Sequence, residues 1–412
     1  MLLKIKFDRK ISIITIGALL EYYNFILFGL LVPYIFSGYE TEKVSLALGY
    51  LIFATGYIAR PFGGVLAGFI SDYKGRKYGF SIIMIFSGVA TILMGLVPYF
   101  SSFVLFFASF FILRIIQSIG YGGEIPNAVT ILYEYDRNKK FLHTANVIFN
   151  ATLGAIFAFA TVYVISNIDK KYEMDKFLWR VPLIVSGVLT LVLFFLRTNH
   201  SNFLGRKKEE VGQINMFMKI IKSKIHLIFI GILMILPMAI LNINNIFLPT
   251  YLSQHFAYNK SDITLIITMG LVFSLFCTIS SGILLDKFNY KKLYPLVTSV
   301  LVSYIIYIVS YSGFKSFVTV ILFNLIYNMY ISFVIVMSLG LLSDLLSKEV
   351  RNTAIGFVYN VSFVIASLVP SISIELFKEF GEPLLIYYCF LFVIFISFIS
   401  TMVYLNNYNE NR

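Results

Sequence analysis

Charge is scarce in this sequence. Asp, Glu, Lys and Arg make up 13% of its 412 residues, about half the share of a soluble domain, which excludes an ordinary water-soluble enzyme or binding module. The two cysteines, Cys277 and Cys389, both lie inside apolar runs. They read as packing residues without redox meaning. The four histidines, His143, His200, His226 and His255, are scattered near the ends of such runs and form no metal-ligand cluster, so no metal is expected. There is no phosphate-binding Gly-Lys-Ser/Thr loop, so ATP is not the implied energy source. Gly120-Tyr121-Gly122-Gly123 follows no strand and sits within an apolar run, so it is not a dinucleotide loop. No cofactor is expected, and catalytic residues of an enzyme are missing.

Apolar length is what the sequence has in abundance. It is 58% hydrophobic and 17% aromatic, with a mean hydropathy of +0.83. A spanning helix needs about 20 mostly apolar residues. Twelve stretches qualify, roughly 12–36, 46–71, 79–98, 102–133, 143–166, 179–197, 225–252, 262–285, 293–311, 316–345, 353–377 and 383–405. The net charge of +12 sits between these stretches rather than on one face, which points to membrane topology and away from nucleic acid. An even number of spans puts both termini on one side. Lys4 to Lys10, Lys74 to Lys77, Arg137 to Lys140, Arg206 to Lys224 and Lys287 to Lys292 mark that side as cytoplasmic.

The expected architecture is an all-α membrane protein, with twelve transmembrane helices in two pseudosymmetric six-helix bundles. The bundles are residues 1–197 and 225–412, joined by a polar cytoplasmic linker over 198–224. An internal repeat supports two halves. Gly68, Asp72 and Lys77 recur as Gly282, Asp286 and Lys291 at one offset, and Thr144 through Asn150 echoes Thr353 through Asn360. Repeats of this kind build alternating-access carriers with a site near the midplane.

Arg60-Pro61-Phe62-Gly63-Gly64 leads into Gly68, Asp72, Gly75, Arg76 and Lys77, a short basic turn between two apolar helices. This turn resembles the loop between the second and third helices of the major facilitator superfamily. Further stretches narrow the resemblance to that superfamily's metabolite:proton symporter family. They are Glu21-Tyr22-Tyr23-Asn24-Phe25, Arg114 through Gln117 to Glu124, Leu248-Pro249-Thr250-Tyr251-Leu252, and Arg351 with Gly356, Tyr359, Asn360 and Pro370. The family moves proline, betaine, 2-oxoglutarate, citrate, shikimate and similar solutes, several of them osmolytes. Two departures stand out: Asn24 occupies a position where the family usually has Asp, and Ile125-Pro126 follows Glu124 where the family has Trp and a small residue.

The resemblance implies a conformational latch built from Gly68, Asp72, Gly75, Arg76 and Lys77, with Asp286 as its second copy. Asp72 is expected to face a helix start near Thr353, and Arg76 a carboxylate, Glu134. Ionisable residues inside spans mark functional sites, and Arg60, Arg114, Glu21 and Glu124 all fall within the first half. They either form a static ion network or divide into substrate-binding arginines and a proton-coupling carboxylate, Glu21 or Glu124. Arg114 suits a planar carboxylate best. Asn24, Phe25 and Gln117 lie near these charges in sequence, and Tyr327, Asn328, Tyr359 and Asn360 form polar stripes in the second half. Those stripes either line a cavity or glue helices together.

The expected function is secondary active transport, with proton-coupled uptake of a small organic solute through a bacterial inner membrane. A proton-independent facilitator or exchanger is the alternative, motivated by Asn24. A non-transporting solute sensor is the other class. The expected partners are the solute, protons and the lipid bilayer.

Overall fold

The structure is a computed structural model that describes residues 9–36, 42–100, 102–172, 177–199, 225–256, 258–348, 350–381 and 384–410. Most of the expected linker over 198–224 lies outside the described residues. Fourteen α-helices appear among them. In chain order they are α1 (Arg9–Phe36), α2 (Glu42–Lys74), α3 (Arg76–Leu96), α4 (Phe103–Tyr121), α5 (Glu124–Tyr135), α6 (Lys140–Tyr172) and α7 (Arg180–Asn199). The second half supplies α8 (Ile225–His255), α9 (Lys260–Lys287), α10 (Tyr290–Tyr307), α11 (Phe317–Leu345), α12 (Arg351–Ala366), α13 (Val369–Phe380) and α14 (Leu385–Glu410).

Eleven stretches are long and apolar enough to cross a membrane. The run Phe103–Tyr135 joins α4 to α5, and Arg351–Ser373 joins α12 to the start of α13. The twelfth helix, α3, contributes a shorter apolar run, Ser81–Leu96, among the described residues. The protein is therefore an all-helical, multi-pass membrane protein. Large apolar side chains face outward along these helices, as with Phe276, which is 70% exposed. In a bilayer such residues meet lipid, and helices associate through packing and hydrogen bonds rather than through water exclusion.

The chain divides into two compact units. One comprises Met1–Tyr135, Asn146–Gln213 and Leu346–Asn360. In it α3 packs along α7, and α2 and α3 both pack on α4. Its apolar core brings Phe28, Leu31 and Phe36 of α1 against Phe106 and Phe110 of α4, with Trp179 beside them. The other unit comprises Asp136–Ala145, Ile214–Leu345 and Val361–Arg412. In it α9 packs on α11, and α8 on both α11 and α14.

The gap between α4 and α5 falls at Gly122-Gly123, just ahead of Pro126. Pro126 sits in the first turn of α5, where its missing N–H leaves no helical bond unmade. Gly122 is needed for a close approach. A Cβ there would come 2.0 Å from the Arg60 carbonyl oxygen, so α2 and α4 touch backbone to backbone at the level of Arg60.

Candidate functional site

Arg60 on α2 and Arg114 on α4 are both buried, at 2% and 0% exposure. Pro61 follows Arg60 and cannot donate to the Tyr57 carbonyl, which loosens α2 at this turn. Arg60 Nη2 stands 3.9 Å from Glu21 Oε1 on α1. Arg114 Nη1 donates to Gln117 Oε1 at 2.6 Å, and Nη2 donates to the Phe25 carbonyl at 3.4 Å. Gln117 in turn donates to Thr91 Oγ1 at 2.8 Å. Both guanidinium groups lie against the Phe25 ring, with Cζ 3.7 Å from its centroid for Arg60 and 4.3 Å for Arg114. Among the described residues Arg114 has no carboxylate partner. Arg60, Arg114, Glu21, Phe25 and Gln117 are thus brought together.

Asn24 is buried beside them, its Nδ2 donating to Thr190 Oγ1 at 3.3 Å. Its Oδ1 and Glu21 Oε2 have no hydrogen-bond partner among the described residues. Glu124 is placed differently. Arg197, at the end of α7, grips it with both ends of the guanidinium, Nη2 to Oε1 at 2.7 Å and Nη1 to Oε2 at 3.2 Å. The same arginine donates to the carbonyls of Ile13 at 3.1 Å and Ile14 at 2.7 Å. A small cavity lies between the two acids, lined by Glu21, Glu124, Tyr121 and Ser87 among others, with room for about one water.

Tyr359 and Asn360 of α12 belong to the same unit. Tyr359 Oη is 3.0 Å from Tyr22 Oη, and Asn360 Nδ2 donates to the Gly122 carbonyl at 2.7 Å. Tyr327 and Asn328 lie in the other unit. There the Tyr327 hydroxyl donates to Asn245 Oδ1, and Asn328 Nδ2 donates to the Asn324 carbonyl at 2.8 Å. These groups satisfy one another.

The latch residues form two matched clasps. In the first unit, Asp72 Oδ2 accepts from the Thr353 N–H at 3.1 Å and from its hydroxyl at 2.7 Å. The carboxylate therefore caps the start of α12, where orphan amides and the positive end of the helix dipole favour an anion. Gly68 lets α2 come this close, since a Cβ on it would lie 2.4 Å from Thr353 Cα. Gly75 turns the chain with φ 102°, a conformation open to glycine. In the second unit, Asp286 accepts from the N–H groups of Phe141 at 3.1 Å and Leu142 at 3.0 Å, at the start of α6.

Each clasp has ion pairs nearby. Arg351 Nη1 is 3.4 Å from Glu134 Oε1, and Asp344 pairs with Arg137 at 3.0 Å and with Lys140. The expected Arg76–Glu134 contact involves a side chain outside the described ones, as is that of Lys77. Sequence reasoning missed Arg197, Asp344 and the Asn127–Asn352 hydrogen bond. Arg197 resembles a topology charge at the end of a span, although it is 1% exposed.

Comparison with known proteins agrees with the fold. The model of the Major Facilitator Superfamily matches residues 14–370. A protein of Staphylococcus aureus (strain COL) named "Putative proline/betaine transporter" is 25% identical over 393 residues, covering 92% of this chain and 84% of that one. The "Shikimate transporter" of Escherichia coli (strain K12) is 30% identical over 187 residues, 44% of this chain and 43% of its own. Among solved structures, the proton:xylose symporter XylE bound to 6-bromo-6-deoxy-D-glucose superposes with a TM-score of 0.75 at 16% identity. That match covers 96% of this chain and 94% of the other. A family match of this extent, over a helical membrane fold with buried charges, shows that the chain belongs to the Major Facilitator Superfamily and is a transporter.

Proposed function

We propose that the chain is a proton-coupled uptake carrier, working by alternating access in a bacterial inner membrane with both termini cytoplasmic. Its cargo is a small organic solute bearing a carboxylate, either a zwitterion such as proline or betaine or a carboxylate such as 2-oxoglutarate. One observation carries this reading: Arg114 is fully buried inside a membrane span and, among the described residues, has no carboxylate opposite it. An unpaired buried guanidinium is costly, and a solute carboxylate supplies the missing charge through the planar fork. The names of the Staphylococcus and Escherichia relatives support the same solute classes.

Glu21 is the proton-coupling residue in this reading. Its ion pair with Arg60 is long, and one of its oxygens is free to take a proton. Glu124 serves instead as a fixed anchor, because Arg197 holds both of its oxygens. Asp72 and Asp286 latch the cytoplasmic ends during the cycle. The membrane potential adds about 2.3 kcal/mol per 100 mV for each net charge moved inward, which suffices for accumulation without ATP.

The test is uptake of radiolabelled L-proline, glycine betaine and 2-oxoglutarate into proteoliposomes, with and without an inward proton gradient. Accumulation of one solute that a protonophore dissipates is the expected result. Uptake indifferent to pH and protonophore instead supports a facilitator or exchanger, a reading favoured by the amide of Asn24, which cannot titrate. No uptake of any of the three overturns the solute class.

A further inference from the structure

We infer that Phe25 is a positioning residue whose ring, shared by Arg60 and Arg114, holds both guanidinium groups in the buried site in place of a second carboxylate. The inference rests on the reading above only in calling those arginines the solute site; the geometry stands apart from it. Two guanidinium groups are buried here and one carboxylate, Glu21, lies near them. Their mutual repulsion is weakly screened in a site this buried. Arg60 Nε and Nη2 and Arg114 Nε have no hydrogen-bond partner among the described residues, so the bonds of Arg114 to Gln117 and to the Phe25 carbonyl account for only part of how the pair is held. What they share is the face of one ring, at 3.7 Å and 4.3 Å. An aromatic face carries negative electrostatic potential and attracts guanidinium most strongly when both are desolvated.

The ring is itself fixed. Phe25 is 2% exposed. Tyr57 meets it nearly edge-on at 4.9 Å and 79°, Tyr121 at 6.1 Å and 77°, and Phe53 packs against it at 5.1 Å. Phe28 and Phe53 also lie near Arg114, at 4.6 Å and 5.3 Å, but among the described residues Phe25 is the ring within reach of both cations. A ring supplies attraction without neutralising charge. The arginines are therefore held in place yet keep their positive field for an arriving anion, which a permanent carboxylate would cancel.

Fluorination separates this role from simple packing. Fluorine on the ring withdraws electron density from its face in steps while changing its shape little. Mono-, di- and trifluorophenylalanine would be introduced at position 25 of the full chain, and the same series at Phe110, which packs on Phe28, Phe36, Phe106 and Trp179. Two readouts are needed: the thermal unfolding midpoint in detergent, followed through Trp179, and the half-saturating concentration for labelled L-proline, glycine betaine and 2-oxoglutarate.

At position 25 the midpoint should fall stepwise with fluorine count. The half-saturating concentration should rise about tenfold across the series, with the maximal rate within about twofold. The Phe110 series should leave both unchanged. Phe25→Leu should lose affinity, and Phe25→Tyr, which retains a ring face, should lose less. A flat midpoint series at position 25, or an equal fall at Phe110, overturns the inference even when uptake is normal. Should the wild type carry none of the three solutes, the proposed solute class fails while the midpoint series still decides the role of the ring.

Discussion

Arg197→Met isolates the anchor that joins α1, α4–α5 and α7. Methionine keeps much of the length of the side chain and removes every polar contact. In the structure those contacts include two bonds to Glu124, at 2.7 and 3.2 Å, bonds to the carbonyls of Ile13 and Ile14 at 3.1 and 2.7 Å, and a contact with the Met84 sulfur at 2.9 Å. The substitution leaves a carboxylate that is 4% exposed facing no cation. Removing one member of a buried pair typically costs about 3–5 kcal/mol, and that range is expected here. Adding Glu124→Gln takes away the stranded charge, so the double variant should recover about 2 kcal/mol of the loss. The chain has a single tryptophan, Trp179. It is fully buried one residue before α7, so its fluorescence in a denaturant titration in detergent reports this unit directly. Gly17→Ala should imitate the loss, because its Cβ would fall 1.8 Å from Glu124 Oε1 and 2.0 Å from Arg197 Nη2. A cost below about 1 kcal/mol for Arg197→Met, or a double variant as damaged as the two singles combined, would refute the anchor.

The remaining predictions concern the cycle itself. Asp72→Asn and Asp286→Asn, each weakening a clasp on a helix start, should slow uptake in proteoliposomes while leaving solute affinity within a few-fold; lost binding with normal expression would count against the latch. Arg114→Ala should weaken solute binding by about 2–5 kcal/mol and Arg114→Lys by less, since the charge survives without the fork; normal binding by both would make Arg114 a structural residue. Glu21→Gln should abolish gradient-driven accumulation and spare solute exchange, whereas Glu124→Gln should retain coupling in whatever protein folds, as measured by uptake at stepped external pH. Restoring the family's acid with Asn24→Asp should steepen the rise of uptake as external pH falls, and an unchanged profile would show that this position takes no part.

Local signals and long-range geometry were not equally legible in the sequence. Hydropathy exposes the spans because a bilayer imposes their length, and the shared offset of Asp72 and Asp286 marks two clasps before either partner is known. The partner of Asp72 could be anticipated at Thr353, since the resemblance carries that helix start with it. Arg197 could not. A basic residue closing a span has the same appearance whether it meets lipid headgroups or turns inward, and its orientation is set by Gly17 leaving room on α1. The break after Tyr121 was half legible: Pro126 suggests a bend, but the chain parts at Gly122-Gly123, where α2 presses closest. Phe25 is one of 42 phenylalanines, and nothing in spacing distinguishes a ring beneath two cations from one in an apolar core.

The exchange of short segments between the two halves of the chain has a consequence for how the protein is made. Leu346–Asn360 completes the unit built otherwise from the first half, and Asp136–Ala145 belongs to the unit built from the second. During synthesis, then, the amino-terminal helices leave the ribosome long before Thr353 exists to meet Asp72, and Phe141 and Leu142 wait through more than 100 residues of translation for Asp286. Both clasps close late, and each is closed by residues that the opposite half contributes. A chain whose synthesis stops after α9 holds every residue of the Asp286 clasp and lacks the helix start that Asp72 caps.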